Sequence, residues 1–269
     1  MSKTTHFSHR ITSVILSLLM LTSMLVLPET AGLAAATASA ETLTQAPSGE
    51  HLTEVPEGYT AVRTIEDLYA IRATPSGKFI LMNDIDMSAT APGGEWAGTN
   101  GWTPIPTFSG TLDGNGYVIS NMNIYGDIQF SGFINENKGT ITDMHFEDVN
   151  VSIDRSTSTY STYFGTVAAQ NYTSATLNDS IISTCSVSGN VNVTAKGAIY
   201  VGGIIAKNSD NGQFHNVRGC YSKATINVFG ENNNIFLGGI AGYQNESGGI
   251  ATSYNAGALS CSTNGNKYI

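Results

Sequence analysis

The chain has 269 residues, with 12 Lys and Arg against 21 Asp and Glu, for a formal net charge of −9. A hydrophobic content of 41% excludes wholesale disorder, and a charged content of 12% argues against long surface helices or a coiled coil. Too few cations are available to cluster on phosphate, which argues against nucleic acid as a partner. The polarity comes from Asn, Ser, Thr and Gly, a mixture that favours short strands and tight turns and leans toward an all-β protein.

Residues 1–40 read as a signal peptide. Lys3 and Arg10 precede the apolar run Ile11 to Leu27, Pro28 stops it, and Ala38-Ser39-Ala40 has the form a signal peptidase accepts, so cleavage is expected after Ala40. The rival reading is an uncleaved membrane anchor, since the run reaches the lower edge of spanning length. Losing Lys3, Arg10 and Glu29 leaves 10 cations against 20 acids. The expected location is secreted or cell-surface, with no membrane contact once the signal is removed.

Residues 41–58 read as a polar linker with Pro47 and Pro56. A helix is expected over Thr64 to Ala73, with Thr64 and Asp67 at capping-box spacing and Ile65, Leu68 and Ile71 on one apolar face. Phe79–Met82 and Tyr117–Ile119 read as strands, with the turn-rich Asp113-Gly-Asn-Gly116 between them. A short helix ahead of a long β region would cover the first exposed edge of a stack of strands.

From about residue 131 one pattern recurs four times. Its first half reads Gly132-Phe-Ile-Asn-Glu-Asn137, Gly165-Thr-Val-Ala-Ala-Gln-Asn171, Gly202-Gly203-Ile-Ile-Ala-Lys-Asn208 and Gly238-Gly239-Ile-Ala-Gly-Tyr-Gln-Asn245. Its second half ends in an apolar–polar–apolar triplet: Val149-Asn-Val151, Val191-Asn-Val193, Ile226-Asn-Val228 and Leu259-Ser-Cys261. Gly-Gly pairs and period-two alternation disfavour helical repeats, and two strand-like runs are too few for a propeller blade. The expected fold is therefore all-β: a right-handed parallel β-helix over 59–269, with an N-terminal cap (59–130) and four repeats (131–269) of about one coil each. Glycines would mark corners needing positive φ or places where backbone runs close to the next face.

These residues resemble the GLUG repeat of bacterial secreted and surface proteins. The resemblance rests on Gly238 to Asn245 followed by Ile250 to Gly257, on Val201 to Asn208 followed by Cys220-Tyr-Ser-Lys-Ala224, and upstream on Ile65 to Leu68, Leu81 to Met87 and Phe108 to Gly116. It implies an adhesin-like or stalk region, often part of a far longer polypeptide, and no fixed activity. The pattern is broken at Thr166, where the second Gly is missing.

The chemistry-bearing residues all have structural readings. Cys185 and Cys220 occupy the same place in consecutive repeats, with Ser253 in the third. Stacked neighbours would suit a disulfide, but reduced buried thiols are expected, and Cys261 reads as core filler. The column Asn171, Asn208, Asn245 is expected to form a side-chain amide ladder. His51, His145 and His215 are scattered and form no H-E-x-x-H, and no phosphate loop or dinucleotide fingerprint is present, so neither a metal nor a cofactor is expected. Asp84/Asp86 and Glu147/Asp148 are the carboxylate pairs available for glycoside cleavage, yet Asp84 and Asp86 suit a polar turn better.

Lys267-Tyr268-Ile269 matches the aromatic–aliphatic entry of earlier units, from which a C-terminal truncation of a longer protein is expected. The functional expectation is a non-catalytic module for adhesion, recognition or support, with a surface glycan or protein as partner. The alternatives are the N-terminal stalk of a larger secreted metallopeptidase and a β-helical polysaccharide-degrading enzyme.

Overall fold

The computed structural model describes residues 51–172, 180–209, 216–231, 234–245 and 249–269. The expected signal peptide with its cleavage point, residues 41–50 of the expected linker, and His215 lie outside them. Among the described residues the fold is predominantly β, with parallel sheets and one short α-helix, α1, at Ile65–Ala70. Thr64 starts α1 by accepting the Asp67 N–H on its hydroxyl, while the Asp67 carboxylate accepts the Thr64 N–H, which satisfies two otherwise orphaned donors. A 3₁₀ turn, Ile71–Ala73, follows, and Leu68 and Ile71 are fully buried. Among the described residues no helix is long and apolar enough to cross a membrane.

Four parallel sheets contain all the strands of the described residues. From Thr111–Asp113 onward the chain visits them in a fixed cyclic order. One circuit runs through Thr162–Gly165 in the first sheet, Ala168–Tyr172 in the second, Ile181–Ser183 in the third and Ser186–Ala195 in the fourth. The next repeats the order through Ile199–Gly202, Ile205–Ser209, Val217–Arg218 and the pair Tyr221–Ser222 and Thr225–Gly230. Pairing is in register: Gly165 lies beside Gly202 and Gly202 beside Gly238, and Asn171 lies beside Asn208. Alternation follows from period-two geometry, so Val191, Val193 and Ala195 point inward while Asn192 faces solvent. The core is one continuous cluster from Val62 to Ile240, with Trp102 stacked on Phe133 at 5.4 Å.

The structure shifts two alignments. A bulge between Phe146 and Val149 inserts one extra residue into His145–Arg155, with Asp148 at φ 51°. Beyond the bulge Val151 lies beside Val191 and Ile153 beside Val193, so the first triplet is Val151-Ser-Ile153 rather than Val149-Asn-Val151. In the last unit Gln244, not Asn245, lies beside Asn208. The segment read as linker is also held to the body at its end: the His51 ring stacks on Tyr117 at 4.2 Å, and Leu52 N–H donates to Asn115 Oδ1.

Candidate functional site

Four kinds of residue column run across the sheets. In the second sheet Asn137 Nδ2 donates to Asn171 Oδ1 at 2.8 Å, Asn171 Nδ2 to Asn208 Oδ1 at 3.0 Å, and Asn208 Nδ2 to Gln244 Oε1 at 2.8 Å. Asn137, Asn171 and Asn208 are fully buried, so each rung replaces water that the amides have lost. The expected fourth member, Asn245, is displaced by Gln244, whose longer side chain reaches the same position one residue earlier. Asn245 instead donates its backbone N–H to the Asn208 carbonyl.

Gly202, Gly203, Gly238 and Gly239 do not sit at positive φ; the first three are places of close backbone approach, and at Gly239 the Asn255 side chain fills the space a Cβ would take. A Cβ on Gly203 would collide with the Gly239 carbonyl oxygen and the Ser222 hydroxyl. Thr166 stands where that second glycine is absent and is fully buried, with its hydroxyl unpartnered. Cys185 and Cys220 are buried free thiols; Cys185 Sγ lies 3.2 Å from the Ser183 carbonyl and Cys220 Sγ 3.4 Å from the Arg218 carbonyl. Burial pushes the Cys185 thiol up. Ser253 continues the column, its hydroxyl accepting the Cys220 N–H, and Cys261 lies beside Val228, half-buried.

The longest column is aromatic. Phe130, Tyr163, Tyr200, Phe236 and Tyr268 stack with centroids 4.7–4.8 Å apart and planes within 7°. That is the spacing of neighbouring strands, so register alone sets the stack. Each inner ring offers its faces to other rings and only an edge to solvent, which leaves no face for a sugar.

The carboxylates taken as candidates for catalysis do local work. Asp84 Oδ1 accepts the Val118 N–H, and Asp86 accepts from Asn121 Nδ2 and from the Ser88 N–H and hydroxyl, which lowers the Asp86 pKa. Asp113 closes the turn at Asn115, and burial raises its pKa, with a further push from Asp143.

One cluster escaped the sequence. His145 Nδ1 lies 2.7 Å from Ser186 Oγ and His145 Nε2 lies 3.3 Å from Asp143 Oδ1, a Ser, His, Asp grouping across strands. Its geometry does not suit nucleophilic catalysis. Ser186 and His145 are buried, Nε2 makes no aligned hydrogen bond, and the adjacent depression is only about 40 Å³. Small-molecule sites start at about 300 Å³. The register that places His145 beside Ser186 also makes their contact a structural one.

A groove of about 330 Å³ lies on the outer face of the fourth sheet, lined by Asn192, Thr194, Asn227, Phe229, Ser260 and Ser262. Phe229 is 49% exposed. Among the described residues no three His, Cys, Asp or Glu side chains gather as a metal site requires.

No family model matches the chain. Over 66 residues, 23% of the chain, it is 41% identical to halomucin of Haloquadratum walsbyi, and that stretch is 1% of halomucin. The fold is similar to that of a protein from Bacteroides ovatus provisionally described as an immunoglobulin A1 protease, with a TM-score of 0.56 and 20% identity over 76% of this chain and 58% of that one. The second likeness is one of fold.

Proposed function

We propose that the chain is a non-catalytic, secreted or cell-surface repeat module of the GLUG type, folded as a right-handed parallel β-helix and serving adhesion, recognition or support. The observation that carries this reading is the return of the chain, in register, to the same four parallel sheets, with amide over amide and ring over ring. Such stacking makes a stiff body with a repetitive lateral face from few residue types. A mucin-type name and a protease named for immunoglobulin A1 both point outside the cell and support the location.

A glycan array combined with a reducing-sugar release assay on residues 41–269 tests the reading. Retention without turnover is expected; turnover abolished by Asp84→Asn would reject the non-catalytic part. Ser186 should also stay unlabelled by a fluorophosphonate probe. A second reading, a stalk within a larger secreted peptidase, draws support from the description of the solved neighbour. It predicts that immunoglobulin A1 is cleaved by a longer polypeptide from the same locus and left intact by residues 41–269.

A further inference from the structure

From the groove on the outer face of the fourth sheet we infer a binding site for a neutral oligosaccharide, with Phe229 as its stacking platform and Asn192, Asn227, Thr194, Ser260 and Ser262 as its hydrogen-bonding rim. This names a ligand class for the recognition reading above and rests on it.

The first observation is what surrounds Phe229. In the first sheet, rings lie beside rings and cover one another's faces. Phe229 lies in register between Thr194 and Ser262, neither of which carries a ring to stack on it, and it is half-exposed. A phenyl ring has no polar group to satisfy in water, so holding it half-exposed on an outer face contributes little to folding. It does supply a flat apolar surface.

The second observation is the polar chemistry beside it. Asn227 Nδ2 donates to Asn192 Oδ1 at 3.1 Å. Among the described residues that bond leaves the Asn192 amide donors and the Asn227 side-chain carbonyl without a protein partner, and Ser260, Ser262 and Thr194 line the same groove. The groove therefore offers both donors and acceptors. A pyranose presents an apolar face of axial C–H groups edged by hydroxyls that both donate and accept, which is the complement of a half-exposed ring edged by amides and hydroxyls. Three strands about 4.8 Å apart span about 10 Å, which suits a disaccharide-sized segment of a longer chain.

Charge selects the class further. No charged side chain lines the groove. Asp154, beside Thr194 in the same column, is kept ionised by the Ser156 N–H and hydroxyl. With a net charge of −9 on the chain as well, carboxylated or sulfated sugars meet repulsion and no cation.

The test is saturation-transfer NMR with calorimetric titration on the full chain, using cellohexaose, laminarihexaose and mannohexaose as neutral probes and heparin and polygalacturonate as anionic ones. At least one neutral hexasaccharide should bind, and Phe229→Ala should weaken it tenfold or more without altering the unfolding curve. Asn227→Ala, which removes the amide and keeps the ring, should weaken it severalfold and serves as the independent variant if Phe229→Ala fails to fold. Absence of binding to all neutral probes, tighter binding of the anionic ones, or equal affinity in both variants would overturn the site. Equal affinity would still leave the broader recognition reading in place. Release of reducing ends during titration would remove only the non-catalytic reading, because the site is judged on affinity.

Discussion

Asn171 donates from Nδ2 to Oδ1 of Asn208 across 3.0 Å, though 37 residues separate them in sequence. The same side chain accepts from Asn137, so its loss breaks two rungs at once. Asn171→Ala should cost about 3 kcal/mol, because buried amide groups on both sides lose a partner. Gln244→Ala removes one rung from a half-buried position and should cost about 1 kcal/mol. Urea unfolding of both variants checks the order, and the reverse order would refute the ladder.

Tyr200 has its pKa raised above the ordinary value of 10 by burial first, then by the neighbouring Tyr163 and Tyr243 hydroxyls. Above pH 10 the folded chain therefore holds this proton more tightly than the unfolded chain. The stabilisation is complete below that value and is lost as pH rises through the folded pKa. Tyr200→Phe keeps the stack and should flatten this alkaline decline, whereas Tyr200→Ala should lower stability at every pH. Thermal unfolding between pH 8 and 11 distinguishes them.

Thr166 buries a hydroxyl that finds no partner. Thr166→Val keeps the shape and removes the unsatisfied group, so stability should rise by about 1 kcal/mol in chemical denaturation. A loss of similar size would mean that the hydroxyl is satisfied in solution.

Three free thiols differ in access: Cys185 and Cys220 are buried and Cys261 is half-buried. Ellman's reagent should modify Cys261 first in the folded chain, and all three only after unfolding. Because burial holds Cys185 in its thiol form, raising the pH to 9 should not bring it into reach.

The repeat was legible because its cues are local and strict. Asn171 to Asn208, Gly202 to Gly238 and Val191 to Ile226 can be aligned by eye, and the structure pairs each of them. What sequence missed depends on single-residue offsets. Gln244 and Asn245 are both amides in adjacent positions, and only the strand register decides which one faces inward. The true partner of Val191 is Val151, two residues beyond Val149, and a two-residue slip leaves the in–out pattern intact and hence invisible. Tyr200, Phe236 and Tyr268 were recognisable as unit entries, while Phe130 and Tyr163 joined them only through pairing. The groove was hidden for a related reason. Phe229 is unremarkable in a strand until its neighbours across the sheet prove to be Thr194 and Ser262.

The five-ring column has an optical consequence. Tyr163 and Tyr200 lie 4.8 Å apart with planes 7° from parallel. Chromophores held face to face in this way couple their electronic transitions, so the near-ultraviolet dichroism of the chain becomes an internal, label-free gauge of whether successive circuits remain in step.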